Sequence, residues 1–211
     1  TALAAGMGSL VFATAATADI SVELVSNGDN AYGHVYGLYV VGLDESAGDR
    51  IDVVYGNADS VLNIEASTSF YQNPLGGSTS RHINPSWYSM FPSIMSDSWV
   101  TIGYADMMQN NLNYIGIDFT SFNQSGGAIT TDNGSWFVTP DDPQGLAYGG
   151  SVLIGQFTVV NGTGVAADDF VSAIVNIQGT VNGELYNGIG LNAIPAPGAL
   201  ALLGLAGVTA R

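Results

Sequence analysis

Apolar and polar residues alternate along most of this chain with a period of two, which predicts strands rather than helices. Ile20-Ser21-Val22-Glu23-Leu24-Val25 sets the pattern. His34 to Leu43 is a longer aromatic and β-branched run, followed at short intervals by Arg50–Tyr55 and Val61–Ile64. After a long gap come Ser98–Ile102, Tyr114–Phe119, Ser135–Val138, Val152–Val160 and Ala173–Val181. Asn27-Gly28, Asn133-Gly134, Asn161-Gly162, Asn182-Gly183 and Asn187-Gly188 punctuate these runs. Asn and Gly tolerate the positive φ that tight hairpin turns need. A helical apolar period is confined to one turn near Ala105–Asn111. Many short strands without alternating helices predict an all-β domain: an antiparallel β-sandwich, jelly-roll or cohesin-like, of about nine strands.

One segment breaks the alternation. Ala66 to Asp97 scatters Phe70, Tyr71, Trp87, Tyr88 and Phe91 among Ser, Asn, Gly and Pro, and it carries Arg81 and His82. Long irregular loops in compact domains are uncommon and often functional. Arg81, His82, Trp87 and Tyr88 are therefore the candidate ligand-binding residues. The aromatics would stack on sugar rings while Arg81 and nearby amides read hydroxyls. The alternative is a lid, with the aromatics folded back over an otherwise open sheet edge. Trp99 and Trp136 lie in predicted strands and are expected in the core.

Both ends differ from this central region. Thr1 to Ala18 is uncharged and apolar and finishes Ala16-Thr17-Ala18 before Asp19. Small residues at alternate positions after an apolar stretch are how a secretory signal peptide ends. Cleavage is expected after Ala18, with Ala15 as the second choice. At the other end Pro195-Ala196-Pro197 leads into Gly198–Ala210, a small-and-apolar run of thirteen residues, and Arg211 follows. That run is shorter than the roughly 20 residues of a full bilayer crossing.

The order proline pair, apolar helix, cation resembles the PEP-CTERM sorting tail of bacterial surface proteins, with Ala196 where that motif has glutamate. The resemblance covers residues 194–211 only. It implies recognition by a membrane-embedded exosortase, contact with the membrane through the tail, and delivery to the cell surface, outer envelope or extracellular matrix. The expected organisation is thus a signal remnant at 1–18, a sandwich passenger at 19–193 and a sorting tail at 194–211.

Charge narrows the function of the passenger. All 18 acidic residues lie in 19–193, where only Arg50 and Arg81 oppose them, for a net −16 without a single lysine. Such a surface repels nucleic acid and anionic lipid. The absence of cysteine excludes disulfides and thiolate chemistry. Acidic turns recur, Asp141-Asp142 and Asp168-Asp169 among them, and loops rich in carboxylate suit calcium. Asp44, Asp49 and Asp59, flanking two adjacent turns, are the candidate calcium ligands. His34 and His82 stand apart without a His pair at helical spacing, which argues against zinc.

Catalytic motifs are absent: the chain has no Gly-x-Ser-x-Gly, no phosphate loop and no His-Glu-x-x-His. A Ser-His-Asp set can be assembled from any chain so rich in Ser and Asp, and spacing singles none out. These features predict an exported surface or matrix protein with a non-catalytic structural or adhesive role. The alternative is a carbohydrate-binding module using 66–97 to hold extracellular polysaccharide. A polysaccharide-active enzyme stands third, since it needs two facing carboxylates that spacing does not reveal.

Overall fold

In a computed structural model, residues 19–161 and 170–193 are described. The expected signal remnant at 1–18, the expected sorting tail at 194–211 with its helix, and Asp168-Asp169 lie outside the described residues. The alternating runs form β1 (Ser21–Asn30), β2 (Gly33–Val41), β3 (Arg50–Gly56), β4 (Leu62–Ala66), β5 (Trp99–Val100) and β6 (Asn113–Ile115). After a short helix α1 (Thr120–Ser125) come β7 (Ile129–Thr131), β8 (Gly134–Phe137), β9 (Ser151–Val159), β10 (Val171–Val181) and β11 (Glu184–Ala193). Among the described residues no helix is long and apolar enough to cross a membrane.

Two antiparallel sheets result, consistent with a β-sandwich. The smaller runs β1-β2-β9-β5, and the larger runs β6-β8-β3-β10-β4-β7 with β11 on β10. β3 and β4 follow one another along the same edge of β10, with Tyr55 opposite Asn176 and Asn63 opposite Ile174. β8 and β7 line the far edge of that pair in the same way, Gly134 opposite Gly56 and Thr131 opposite Leu62. The larger sheet therefore has five ranks: β6, β7–β8, β3–β4, β10 and β11.

The period of two decides which side chains meet between the sheets. Tyr36, Leu38 and Val40 of β2 and Val152, Ile154, Phe157 and Val159 of β9 face Val171, Ala173, Val175 and Ile177 of β10, all buried in one cluster. Each fully buried Leu, Ile or Val contributes about 1.5–3 kcal/mol over exposure. Trp136 is buried among them as expected, and its indole N–H donates to the Thr101 carbonyl at 2.9 Å. The indole thus enters the core without an unpaired polar group.

The fully buried Asn176 sits where the β3–β4 rank is interrupted by residues 57–61 and where the β10–β11 register slips. Its amide N–H groups donate to the carbonyls of Tyr55 (3.0 Å) and Ser60 (2.8 Å). Its oxygen accepts from Ser60 Oγ (2.7 Å) and the Gly190 N–H (2.8 Å). One side chain satisfies the backbone on both sides of a broken ladder, using all four bonds an amide offers.

Several local expectations change. Asn182-Gly183 is the expected hairpin turn, with φ of +51° and +79°. Asn27-Gly28 and Asn187-Gly188 instead lie inside β1 and β11, where the register slips, and the first hairpin turns at Ala31-Tyr32. Residues 105–107 form bends and 108–109 a single turn, with Gln109 at φ +56°, so no helix develops there. β5 and β6 are short, since Gly116 at φ +71° ends β6.

Candidate functional site

The irregular stretch between β4 and β5 folds onto the sandwich through three short 3-10 turns, Ser80–His82, Pro85–Trp87 and Pro92–Ser96. Its first part belongs to the core: Phe70 packs edge-on against Phe122 and tilted against Phe157. Ile83, Ile94 and Trp99 form a second, smaller apolar cluster flanked by Tyr88 and Leu153. Leu153 lies between the inward-facing Val152 and Ile154, so this cluster covers the outer face of the four-stranded sheet. Of the aromatics expected to fold back, Phe70 enters the core and Tyr88 packs against the smaller cluster, on a sheet face rather than an edge. Trp87 and Phe91 remain 40% and 41% exposed.

Arg81 and His82, on the first turn, line a groove made of two adjoining hollows that share His82 and Tyr114. One hollow continues past Thr79 and Leu112, the other past Gln72, the 74–78 loop and Asn123 of α1. Neither Trp87 nor Tyr88 lines it, so the four expected residues divide into two places. Arg81 reaches across to donate from Nη1 to the Leu112 carbonyl at 2.8 Å, which fixes the guanidinium beside β6. The His82 ring is held against its own turn, Nδ1 lying 3.1 Å from Thr79 Oγ1. Tyr114 is half exposed, its ring propped edge-on against Phe119 at 5.2 Å.

Beneath the groove wall lies Asp97, buried, accepting the backbone N–H groups of Asn73 (2.6 Å) and Gly77 (2.9 Å). Burial pushes its carboxyl up to about 6, against the pull of those hydrogen bonds. A Cβ at Gly76 would overlap this carboxylate and one at Gly77 would press on the His82 ring. The glycine pair is what lets the loop close over both side chains. A cation, an imidazole, an aromatic face, side-chain amides and backbone groups thus line one groove, and no carboxylate side chain does. Such a set is equipped to bind polyhydroxylated ligands by stacking and hydrogen bonding.

The three candidate calcium ligands are not brought together among the described residues. Asp44 and Asp49 do meet in one turn, but their oxygens hold backbone. Asp44 caps residues 45–47 by accepting the Ser46 and Ala47 N–H groups, and these bonds with the Ser46 hydroxyl keep its carboxyl below the usual range. Asp49 is buried and accepts the N–H groups of Asp44 (2.8 Å) and Asn182 (2.7 Å). Asp59 sits in a separate exposed turn closed by Asn57. Among the described residues no three His, Asp or Glu side chains come together to hold a metal ion.

The two arginines of the passenger serve different ends. Arg50 is buried, its Nε donating to Asp52 (2.7 Å) and its Nη2 to the Asp142 carbonyl (2.9 Å), while Arg81 stays at the surface. Tyr114 and Asn123 went unrecognised in the sequence because they lie in β6 and α1, outside the 66–97 stretch that holds Gln72 and Arg81. Only the tertiary fold places them around Arg81. Compared with protein-family models, with curated proteins and with solved structures, the chain matches none.

Proposed function

We propose that this chain is an exported bacterial surface or matrix protein with an adhesive role, holding extracellular polysaccharide in the groove of Arg81, His82 and Tyr114. The single observation that carries the binding reading is that juxtaposition of cation, imidazole and half-exposed aromatic ring in one groove. Aromatic faces stack on sugar rings and a fixed guanidinium reads hydroxyl or carboxylate groups. The −16 charge of residues 19–193 repels acidic glycans and so favours neutral ones, with Arg81 as the one exposed arginine among the described residues.

Export rests on the two ends: the Ala16-Thr17-Ala18 cleavage pattern and the PEP-CTERM-like Pro195-Ala196-Pro197 tail closing at Arg211. In this reading export machinery and an exosortase are the processing partners, and the tail meets the membrane at least in transit. The sandwich itself is of the kind that jelly-roll and cohesin-like domains share.

The test is binding of the full chain to a panel of neutral and acidic polysaccharides, with calcium present and chelated. Arg81→Ala/Tyr114→Ala is set against Trp87→Ala/Tyr88→Ala. Saturable binding lost in the first pair and kept in the second is the expected result. No binding to any glycan by the unaltered protein, or loss only in the second pair, sinks the groove assignment.

A further inference from the structure

The first hairpin holds a constellation that the proposed adhesive role does not use. β1 carries Ser26 and Asp29, and β2 carries His34. Two strand residues three apart point to opposite faces of a regular sheet. Here the register slips between Ser26 and Gly28, so that Ser26 pairs with Tyr36 and Asp29 pairs directly with His34. Asn27 is the extra residue of a bulge, with Gly28 at φ +90° beside it. The bulge turns Ser26 and Asp29 to one face, on either side of His34.

The contacts are those of a relay. His34 Nδ1 lies 2.7 Å from Asp29 Oδ1, and His34 Nε2 lies 2.7 Å from Ser26 Oγ. A carboxylate only accepts, so in the neutral ring Nδ1 carries the proton and Nε2 accepts from the serine hydroxyl. The backbone N–H of Gly28 also points at Ser26 Oγ, at 3.4 Å. The imidazole is largely buried, with 13% of the side chain exposed, and packs on the Tyr36 ring at 4.6 Å. Asp29 and Ser26 are exposed.

The frame around them is fixed at several points. At the hairpin tip Asn30 donates to Ser96 Oγ (3.0 Å) and Tyr32 stacks on Tyr71 at 4.5 Å. Gly33 packs so tightly on the Val159 carbonyl that a Cβ would overlap it. Nucleophile, base and orienting carboxylate are thereby held before any substrate arrives.

We infer that Ser26, His34 and Asp29 form an acyl-transfer site that hydrolyses short-chain, uncharged esters. Ser26 Oγ attacks the ester carbonyl carbon while His34 Nε2 takes the hydroxyl proton. The C–O bond to the leaving alcohol then breaks, and His34 returns the proton to that alcohol, leaving acyl-Ser26. Water attacks this second ester, again giving its proton to His34. The carboxylic acid departs and Ser26 recovers its hydrogen. Asp29 is the positioning residue that keeps Nδ1 protonated and steadies the imidazolium. A nucleophile at the surface suits a small acyl group on a large alcohol, and the −16 charge disfavours anionic acyl groups. This inference stands apart from the polysaccharide reading, since none of its residues lines the groove.

The full chain is treated with a fluorophosphonate and the modified residue located by mass spectrometry. Hydrolysis of 4-nitrophenyl acetate is followed in parallel for Ser26→Ala, His34→Gln, Asp29→Asn and Asp29→Glu. Modification of Ser26, lost in the His34 variant, is expected. Ser26→Ala and His34→Gln should each lower kcat/KM by about a hundredfold or more. Asp29→Asn should lower kcat at unchanged KM, with partial recovery in Asp29→Glu. Ser26 and Asp29 are exposed, so their variants should keep the thermal unfolding of the parent. A folded parent protein left unmodified at Ser26, or a Ser26→Ala variant as fast as the parent, overturns the assignment.

Discussion

Burial at Asp97 raises the carboxyl to about 6 from an ordinary 3.8, so the folded protein holds that proton more tightly than the unfolded chain does. The stability linked to this group is therefore fully present below about pH 4 and is lost as pH rises through about 6. A shift of this size corresponds to about 3 kcal/mol. Urea unfolding at pH 4, 5, 6 and 7 should show the decline in the parent, and Asp97→Asn should flatten it. Equal pH dependence in both proteins would remove Asp97 as its source. Asp52 shifts in the same direction through burial, offset in part by Arg50, which is why the difference between parent and variant is the quantity to measure. None of this was legible in the sequence. Asp97 is one carboxylate among 18 there, and only the wrap of residues 73–77 around it sets it apart.

The strands as elements were largely legible. Runs such as Arg50–Tyr55, Val152–Val160 and Ala173–Val181 reappear as β3, β9 and β10 with nearly the same bounds, because each has a buried face to enforce its period of two. What sequence did not reveal was where that period breaks. Asn27-Gly28 and Asn187-Gly188 have the composition of hairpin turns and serve as slips within strands. An Asn-Gly pair permits a positive φ without requiring it: Gly28 has one, at +90°, whereas in β11 it falls on Gly190, at +62°, and not on Asn187-Gly188. β7 and β11 went unseen because Ile129–Thr131 is short and Glu184–Ala193 is mostly exposed, without a clean alternation. The groove at Arg81 was half legible: the loop announced itself by composition, but its partner Tyr114 sits in a different element. Asn176 tests how the ranks depend on one side chain. Asn176→Ala would remove the side-chain partner of Tyr55 O and of the Gly190 N–H at a part-buried site, while Ser60 O keeps the Asn57 N–H. A loss of about 2 kcal/mol follows at roughly 1 kcal/mol per orphaned group, measurable by denaturant titration. A loss below about 1 kcal/mol would mean the excursion at 57–61 closes without it.

Across the whole molecule, like charge is the dominant electrostatic fact. With −16 on 19–193 and one of its two arginines buried against Asp52, compaction brings carboxylates together with little to offset them. Sodium chloride shortens the Debye length from about 30 Å at 0.01 M to about 3 Å at 1 M. The melting temperature should accordingly rise by several degrees across that range in calorimetry. A melting temperature that stays level or falls would show that the carboxylates are already neutralised within the fold. The same scale brings out a consequence of the larger sheet's order. Its inner strand β10 pairs with β3 and β4, and Asn176 reaches Tyr55 across 121 positions of chain. The smaller sheet likewise waits for β9 to join β2 to β5. A polypeptide made from its N-terminus forward therefore cannot close either sheet until its closing strands have left the ribosome. Pairs such as β1–β2 and β3–β8 need only earlier residues, but for a chain proposed to cross a membrane the order of its strands delays completion of both sheets until β9 and β10 have emerged.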